Sequence, residues 1–179
     1  MRKIVIIING KGEAGKDTLC DIVSRHFSTV NMSSISPIKE IARQHGWNGE
    51  KDNNARRFLS NLKRAFSDFN DLPTQYLLTK YSEFIADQEH EIMFAHIREA
   101  SEIARFSSMV STPLVTLFID RPGLGRYDNE SDDDAGNYNY DYVYVNNKPL
   151  ESLEDDFIRF FNSIVESESC KGGDLWNPV

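Results

Sequence analysis

The first apolar stretch of the chain is a run of five β-branched residues, from Ile4 to Ile8. A strand without a polar face is typical of the centre of a parallel sheet, because helices cover both of its faces there. A loop with three glycines follows over residues 9–15, and apolar residues then recur at helical spacing over residues 16–27. The pattern predicts a buried strand, a glycine-rich turn and an amphipathic helix.

The rest of the chain alternates short apolar runs with helical periodicity. The runs predict strands at residues 30–35, 91–97, 114–120 and 140–145, and the periodic stretches predict helices at residues 36–45, 55–69, 77–85, 99–106 and 150–164. Such alternation implies one α/β domain over residues 1–179 with a mostly parallel sheet. The three consecutive helices within residues 36–90 form an insertion where an acceptor could bind.

Two serines are predicted to cap helices. Ser36 precedes Pro37, and proline is favoured at the first helical position after such a cap. Ser152 precedes a first turn with several acids, which suits the positive end of a helix. The segment 167–179 is polar, and we expect it to be a loose tail.

Composition and charge narrow the class of protein. With 179 residues, 40% of them hydrophobic, the chain suits one globular domain and not a disordered segment. Its net charge of −8 disfavours a general binder of nucleic acid or of anionic membranes. No apolar run approaches the roughly 20 residues of a membrane span. The apolar run near the N-terminus leads into the glycine loop, so we expect a strand there and not a signal peptide.

The two cysteines, Cys20 and Cys170, lie far apart in the sequence and lack the spacing of a metal site. Reduced thiols are the expected state, which indicates a cytoplasmic protein. We expect a monomer or a homodimer whose partners are small molecules.

The most specific motif is the loop Gly10-Lys11-Gly12-Glu13-Ala14-Gly15-Lys16-Asp17-Thr18. It matches the phosphate-binding pattern G-x-x-x-x-G-K, in which glycines let backbone N–H groups turn toward an anion. The following helix directs its positive end at the same anion, and Lys16 adds a cation. A glycine turn that only connects strand to helix is the alternative, but the buried strand and the amphipathic helix are the context that a phosphate loop requires.

Asp17 departs from this pattern, which has Ser or Thr at that position, while Thr18 supplies a hydroxyl one position later. A carboxylate beside a triphosphate is repulsive unless a cation lies between them. Asp17 could therefore bind Mg²⁺, directly or through water, or it could be an ordinary acid of the first helical turn. Both interpretations stay open.

Several segments carry a resemblance to a known family. They are Gly15-Lys16-Asp17-Thr18, Ser36-Pro37-Ile38-Lys39-Glu40, Gly46-Trp47-Asn48-Gly49-Glu50-Lys51-Asp52, Arg57-Phe58-Leu59-Ser60, His96-Ile97-Arg98-Glu99, and Asp141-Tyr142 through Asn146-Asn147. On these residues the chain resembles the P-loop nucleoside monophosphate kinases, most of all the phage-type deoxynucleoside monophosphate kinases. It is also similar to animal-type phosphomevalonate kinases.

The resemblance implies a three-layer P-loop NTPase fold with a five-stranded parallel sheet in the order 2-3-1-4-5, ATP as donor, Mg²⁺ and a mobile lid. The loop and the resemblance together predict that the donor is bound by Gly10, Gly12, Glu13, Ala14, Gly15, Lys16, Asp17, Thr18 and Asn146, with Asp17 as the metal ligand. The predicted acceptor-binding residues are Ser36, Lys39, Arg43, Trp47, Arg57, Arg98 and Glu99.

The chain departs from the family at two places. The third strand does not end in the Asp-Arg pair of these kinases but in His96, followed by Arg98 and Glu99. The lid, predicted at residues 121–139, contains the acidic insertion Asp132-Asp133-Asp134. Within this lid, Arg121 and Arg126 would reach the transferring phosphoryl group.

Arg98 is predicted at the carboxyl end of the third strand, the edge of an open α/β sheet where ligands collect. Its forked guanidinium could hold an acceptor phosphate, or it could pair on the surface with Glu99 or Glu102. On the inserted helices, most basic residues are expected to form a solvated face. These residues are Lys39, Arg43, Arg56, Arg57 and Lys63, of which Lys39 and Arg57 fall within the resembling segments.

Together these features predict phosphoryl transfer from ATP to a small phosphorylated acceptor, with Lys16, Arg98, Arg121 and Arg126 as the catalytic residues. The first choice of acceptor is a nucleoside or deoxynucleoside monophosphate, and the alternative is another phosphorylated metabolite such as phosphomevalonate. A GTPase-like or regulatory nucleotide-binding protein is the other class. Residues 120–123 match D-x-x-G and residues 147–150 nearly match N-K-x-D, but Leu150 replaces the acid that would recognise guanine. We interpret both matches as coincidence.

Overall fold

The computed structural model describes residues 3–50, 52–123 and 138–171. In chain order the elements are β1 (Ile4–Gly10), α1 (Lys16–Ser24), β2 (Thr29–Ser33), α2 (Ser36–Gln44), α3 (Asn53–Asn70), α4 (Leu72–Ala86), β3 (Ile92–His96), α5 (Ala100–Met109), β4 (Leu114–Asp120), β5 (Tyr142–Val145) and α6 (Leu150–Lys171). The predicted alternation of strands and helices, with three helices between β2 and β3, is confirmed.

The five strands form one sheet in the order β2-β3-β1-β4-β5, and every neighbouring pair is parallel. Ile8 of β1 lies opposite His96 of β3, and Gly10 of β1 lies opposite Ile119 of β4. The carboxyl ends of the three central strands therefore meet at one edge of the sheet. The predicted α/β fold, a five-stranded parallel sheet in the order 2-3-1-4-5, is confirmed.

β1 is buried over its whole length because helices cover both of its faces. Ile4, Ile6 and Ile8 belong to a core shared with α1 and α6, whereas Val5 and Ile7 belong to a second core shared with α4 and α5. The unbroken β-branched run thus serves two separate packing surfaces. This arrangement explains why the strand shows no alternation of apolar and polar residues.

The inserted helices α2 and α3 have a smaller apolar cluster of their own. Ile38, Ala42 and Leu59 are buried in it, and Trp47 and Phe66 pack against it. α3 begins at Asn53, because the side chain of Asp52 accepts a hydrogen bond of 2.7 Å from the backbone N–H of Ala55. This cap defines the start of α3.

Both predicted serine caps are wrong. The backbone is already helical at Ile35, so Ser36 is the first residue of α2 and caps nothing. Ser152 is the third residue of α6, and its hydroxyl donates to the carbonyl of Pro149 at 3.3 Å. α6 also continues through Lys171, because Glu168 is buried and accepts a hydrogen bond from the hydroxyl of Tyr142. The first five residues of the predicted tail are therefore helical, and residues 172–179 lie outside the described ranges.

None of the helices in the described ranges combines the length and the apolar character that a membrane span requires.

Gly10 tests how tightly β1 and β4 are held together. A Cβ added at this position would lie 2.5 Å from the carbonyl oxygen of Ile119, so the two strands would have to separate. We expect Gly10→Ala to lower the free energy of unfolding by about 1–3 kcal/mol, measured by urea denaturation. The matched control is Gly46→Ala, because Gly46 also has a positive φ but no atom lies within 4 Å of the added Cβ. Equal losses in the two variants would contradict the close approach.

Candidate active site

The predicted phosphate loop connects β1 to α1. Gly15 adopts a left-handed conformation with φ 92° at the N-cap of α1, and a Cβ there would lie 2.5 Å from Nδ2 of Asn146. Glu13 is also left-handed, with φ 64°. These two turns reverse the chain between strand and helix, and only glycine fits at position 15.

Lys16 is the first residue of α1, and its side chain reaches back across the loop. Its ammonium donates hydrogen bonds to the carbonyls of Gly10 at 2.7 Å and Lys11 at 2.8 Å. The cation is thereby held at the N-terminus of α1, where the helix dipole also favours an anion. This geometry suits a phosphate group bound in the loop.

Asn146 supports the loop from the side of β5. Its Nδ2 donates to the carbonyl of Ala14 at 2.8 Å, and its backbone N–H donates to the backbone carbonyl of Asp120 at 2.7 Å. Asn146 was predicted as a donor-binding residue, and it also lines a cavity beside the loop. The same side chain therefore supports the loop and forms part of the wall of that cavity.

A cavity of about 400 Å³ opens on one side of the loop, between the end of β3 and the insertion. Its wall includes many of the residues predicted from the sequence. They are Gly12, Glu13, Lys16, Asp17, Lys39, Trp47, Arg98 and Glu99. Loop, strand end and inserted helices are thus brought together at the predicted edge of the sheet. We refer to this space as the first cavity.

The first cavity departs from the prediction on the insertion. Within the described part of the chain, its wall does not include Ser36, Arg43 or Arg57. Arg43 instead stacks over the ring of Trp47, with 5.3 Å between the guanidinium carbon and the ring centre. Ser33 and Ser34 line the cavity in place of Ser36.

The helical periodicity of α3 places Arg56, and not its neighbour Arg57, on the wall of the first cavity. Arg56, Leu59, Ser60 and Lys63 line the first cavity and recur at the spacing of one helical face. Arg57 lies one position further round the helix and is exposed. One sequence signal points to this face: Arg56 stands three residues before the apolar Leu59, which is buried in the structure.

A second cavity of about 410 Å³ lies on the other side of the loop. Its wall contains Gly15, Thr18, Arg121, Asn146 and the turn after β5, residues 147–150. Arg121 donates to the carbonyl of Glu13 at 3.3 Å, which joins the end of β4 to the loop. The predicted Arg126 and most of the predicted lid, residues 124–137, lie outside the described ranges.

Lys63 is buried, contrary to the expectation of a solvated helix face. Its ammonium donates to Oε2 of Glu102 at 2.6 Å and also to Glu99. Lys63 and Glu102 are almost fully buried, while Glu99 is partly exposed to the first cavity. This cluster ties the insertion to the segment that follows β3.

The two carboxyl groups of the cluster titrate differently. Burial raises the pKa of Glu102 to about 7, although the Lys63 ammonium opposes the shift. Burial acts on Glu99 in the same direction, but the Lys63 ammonium and the hydrogen bonds from Glu102 and Lys63 together outweigh it and lower the pKa of Glu99. Glu99 therefore presents a negative charge to the cavity, while Glu102 carries a proton more readily.

His96 lies at the end of β3 and borders the first cavity. Burial lowers its pKa, so the imidazole is neutral at neutral pH. Its Nε2 lies 3.4 Å from Oδ1 of Asn31 and 3.9 Å from the sulfur of Cys20. Burial raises the pKa of the Cys20 thiol well above its usual range, so this thiol stays protonated.

Two exposed residues of the first turn of α1 could hold a cation beside the loop. Asp17 borders the first cavity and Thr18 the second. A carboxylate and a hydroxyl are oxygen ligands of the kind that Mg²⁺ prefers. In the described ranges, a cluster of three possible metal ligands, Asp87, Glu89 and His90, lies on the turn before β3, at the opposite edge of the sheet. That cluster takes no part in this site.

Comparison with known proteins supports the fold. No protein-family model matches the chain, and no curated sequence does. TT1252 from Thermus thermophilus is 16% identical, with a TM-score of 0.52 and coverage of 91% of this chain and 98% of that one. Shikimate kinase from Aquifex aeolicus is 14% identical, with a TM-score of 0.48 and coverage of 92% and 98%. Thymidylate kinase from Ehrlichia chaffeensis is 13% identical, with a TM-score of 0.47 and coverage of 90% and 100%. The first of these likenesses establishes the shared fold alone.

The raised pKa of Glu102 makes stability depend on pH. The folded protein holds this proton up to about pH 7, whereas the unfolded chain releases it near 4.5. The proton therefore stabilises the fold at low pH, and this contribution is lost as the pH rises through that window. We expect the free energy of unfolding of the wild type to fall relative to that of Glu102→Gln between about pH 4.5 and pH 7.

Denaturant titrations at several pH values measure this difference. Glu83→Gln is the control, because Glu83 forms an exposed pair with Lys80 on α4. Parallel curves for the wild type and Glu102→Gln would contradict the assignment.

Proposed function

We propose that the protein is a kinase that transfers the terminal phosphoryl group of ATP to a small phosphorylated acceptor. The first choice of acceptor is a nucleoside or deoxynucleoside monophosphate. One observation carries the proposal: the loop that holds Lys16 lies between two cavities of similar size, about 400 and 410 Å³. A phosphoryl transferase needs a site on each side of the group that moves.

The second cavity suits the donor. The phosphates of ATP would bind at the loop and the N-terminus of α1, with Lys16 on the outer phosphates. The base would lie against the turn after β5, near Asn147 and Pro149, with Arg121 above the loop. Bound Mg²⁺, held by Asp17 and Thr18, would neutralise charge on the phosphate oxygens.

The first cavity suits an anionic acceptor with a flat, partly apolar group. Lys39, Arg56 and Arg98 place three cationic side chains on its wall, and Trp47 adds an aromatic ring. Arg98 follows β3 beside the loop, where its guanidinium could hold an acceptor phosphate through two parallel hydrogen bonds. Glu99, whose pKa is lowered by the Lys63 ammonium together with its hydrogen bonds, could accept a hydrogen bond from a hydroxyl or amino group of the acceptor.

Catalysis would consist of positioning and of stabilising charge. Lys16 and the loop would orient the transferring phosphoryl group, and Arg98 would align the attacking oxygen of the acceptor. The lid at residues 121–139, with Arg121 and Arg126, stays a prediction, as do a cytoplasmic location and a monomeric or homodimeric state. Closure of such a lid would exclude water from the reaction.

Two alternatives remain distinct from this proposal. Another phosphorylated metabolite, such as phosphomevalonate, could occupy the same cationic cavity. A GTPase-like regulator would use residues 147–150, which line the second cavity, but Leu150 offers no carboxylate to a guanine base. A regulator would bind nucleotide without acceptor-dependent turnover.

A coupled assay of ADP release separates these candidates. It would be run with ATP and each ribonucleoside and deoxynucleoside monophosphate, and with phosphomevalonate as the non-nucleotide acceptor. We expect ADP formation that depends on one or a few monophosphates. Tight nucleotide binding without acceptor-dependent ADP would favour the regulator, and turnover with phosphomevalonate alone would replace the nucleotide acceptor.

Lys16→Ala tests the donor side. The variant loses the ammonium that the loop carbonyls hold in place. Removing one group that stabilises transition-state charge typically costs about a hundredfold or more in rate. We expect that loss in kcat, with the thermal unfolding midpoint nearly unchanged. Lys80→Ala, on α4, is the control and should turn over normally. Normal turnover by Lys16→Ala would refute the kinase proposal.

The two neighbouring arginines of α3 test the acceptor side. Arg56→Ala and Arg57→Ala remove the same charge, but Arg56 lines the first cavity and Arg57 does not. A hydrogen bond to a charged group is worth about 1.5–3 kcal/mol, so we expect Arg56→Ala to raise the acceptor KM about tenfold or more. Arg57→Ala should leave it within about twofold, as for a surface substitution. The reverse order in steady-state kinetics would place the acceptor elsewhere.

A further inference from the structure

Asn9 is a fully buried polar residue at the end of β1. It follows the apolar run of that strand and lines the first cavity. Burying an amide is costly unless its polar atoms find partners, whereas an apolar side chain would carry no such cost. The presence of an amide at this position therefore requires an explanation other than packing.

The amide of Asn9 has a partner for every hydrogen it can donate. Its Nδ2 donates to the backbone carbonyl of Arg98 at 3.0 Å and to the hydroxyl of Tyr140 at 2.6 Å. Its Oδ1 accepts a hydrogen bond of 2.8 Å from the N–H of Gly10. A carbonyl can only accept and a backbone N–H can only donate, so these partners fix the orientation of the amide.

The three partners belong to three different parts of the site. Gly10 begins the phosphate loop, Arg98 lies beside the first cavity, and Tyr140 precedes β5. The ring of Tyr140 packs against Phe118 at 5.0 Å between ring centres. Burial raises the pKa of Tyr140 to about 12, so its hydroxyl stays protonated at neutral pH.

The hydrogen bond from Asn9 to the carbonyl of Arg98 connects β1 to the segment that follows β3. β3 ends at His96, two residues before Arg98, so the hydrogen bonds between β1 and β3 do not extend to Arg98. The amide of Asn9 links β1 to this segment in their place. The side chain of Asn9 thereby connects the start of the loop directly to the backbone of Arg98.

We propose that Asn9 is a positioning residue that holds the Arg98 segment and the start of β5 at a fixed distance from the phosphate loop. The inference deepens the proposed function, on which its kinetic consequence rests. If Arg98 binds the acceptor phosphate, a small displacement of its backbone misaligns acceptor and donor, because phosphoryl transfer depends on orientation. The Gly10 end of the loop keeps its covalent neighbours and its pairing with β4.

Asn9→Leu is the decisive substitution, because leucine has a similar size and makes none of the three hydrogen bonds. We expect the acceptor KM to rise about tenfold or more and the ATP KM to change less than about threefold, as expected for an effect confined to the Arg98 side. Asn9→Thr is a second, uncharged variant. Threonine suits a strand, but its side chain is one bond shorter than that of asparagine. This variant should also raise the acceptor KM. Equal changes in both KM values, or none, would overturn the proposal.

A measurement in the free protein separates this proposal from the proposed function. Hydrogen exchange of the backbone amides in residues 97–100 and 140–142 should quicken in Asn9→Leu and Asn9→Thr, while residues 53–70 should exchange as in the wild type. This result does not depend on turnover. If the wild type phosphorylates no acceptor, the proposed function fails while the exchange result still decides the role of Asn9. Unchanged exchange in both segments would overturn that role.

Tyr140→Phe tests one of the three hydrogen bonds of Asn9, because it removes only the hydroxyl that accepts from the Asn9 amide. We expect quicker exchange at residues 140–142 and a smaller rise in the acceptor KM than in Asn9→Leu. Tyr142→Phe is the matched control, since the hydroxyl of Tyr142 bonds Glu168 of α6. Identical behaviour of the two tyrosine variants would remove Tyr140 from the proposal.

Discussion

Burial of β1 on both faces is the constraint on which the rest of the structure depends. A strand with helices on each side has no surface to give to solvent, so the chain leaves the sheet only where β1 ends, at Gly10. The phosphate loop therefore begins at the centre of the molecule, between β3 and β4. Because these strands run parallel to β1, the segments that follow them reach the same edge. The site is a product of this topology.

The elements predicted well from the sequence are those with local signals. The β-branched run and the glycine spacing predict β1 and its loop, and β4 was predicted with its observed bounds. The predicted caps failed for an equally local reason, since Ile35 already has helical dihedral angles and Asp52 supplies a cap that the pattern did not indicate. Helix ends depend on single side chains, and several polar residues near an end can compete for that role.

The parts of the site that were missed depend on contacts far along the chain. Lys63 is buried because Glu99 and Glu102, 36 and 39 residues later, accept hydrogen bonds from its ammonium. Two of the three hydrogen-bond partners of Asn9 lie 89 and 131 residues away. A sequence shows that a lysine or an asparagine is unusual in an apolar setting, but its partners emerge only when the strands are ordered. The choice of Arg56 over Arg57 has the same origin, since the packing of α3 decides which face meets the cavity.

The insertion carries an apolar cluster that is separate from the two cores of the sheet. Ile38, Ala42 and Leu59 stabilise α2 and α3 among themselves, while the loop rests on cores formed by other residues. Changes on α2 and α3 can therefore alter the shape and charge of one cavity without disturbing the packing beneath the loop. A division of this kind allows one scaffold to diversify its choice of acceptor while its handling of the donor stays constant.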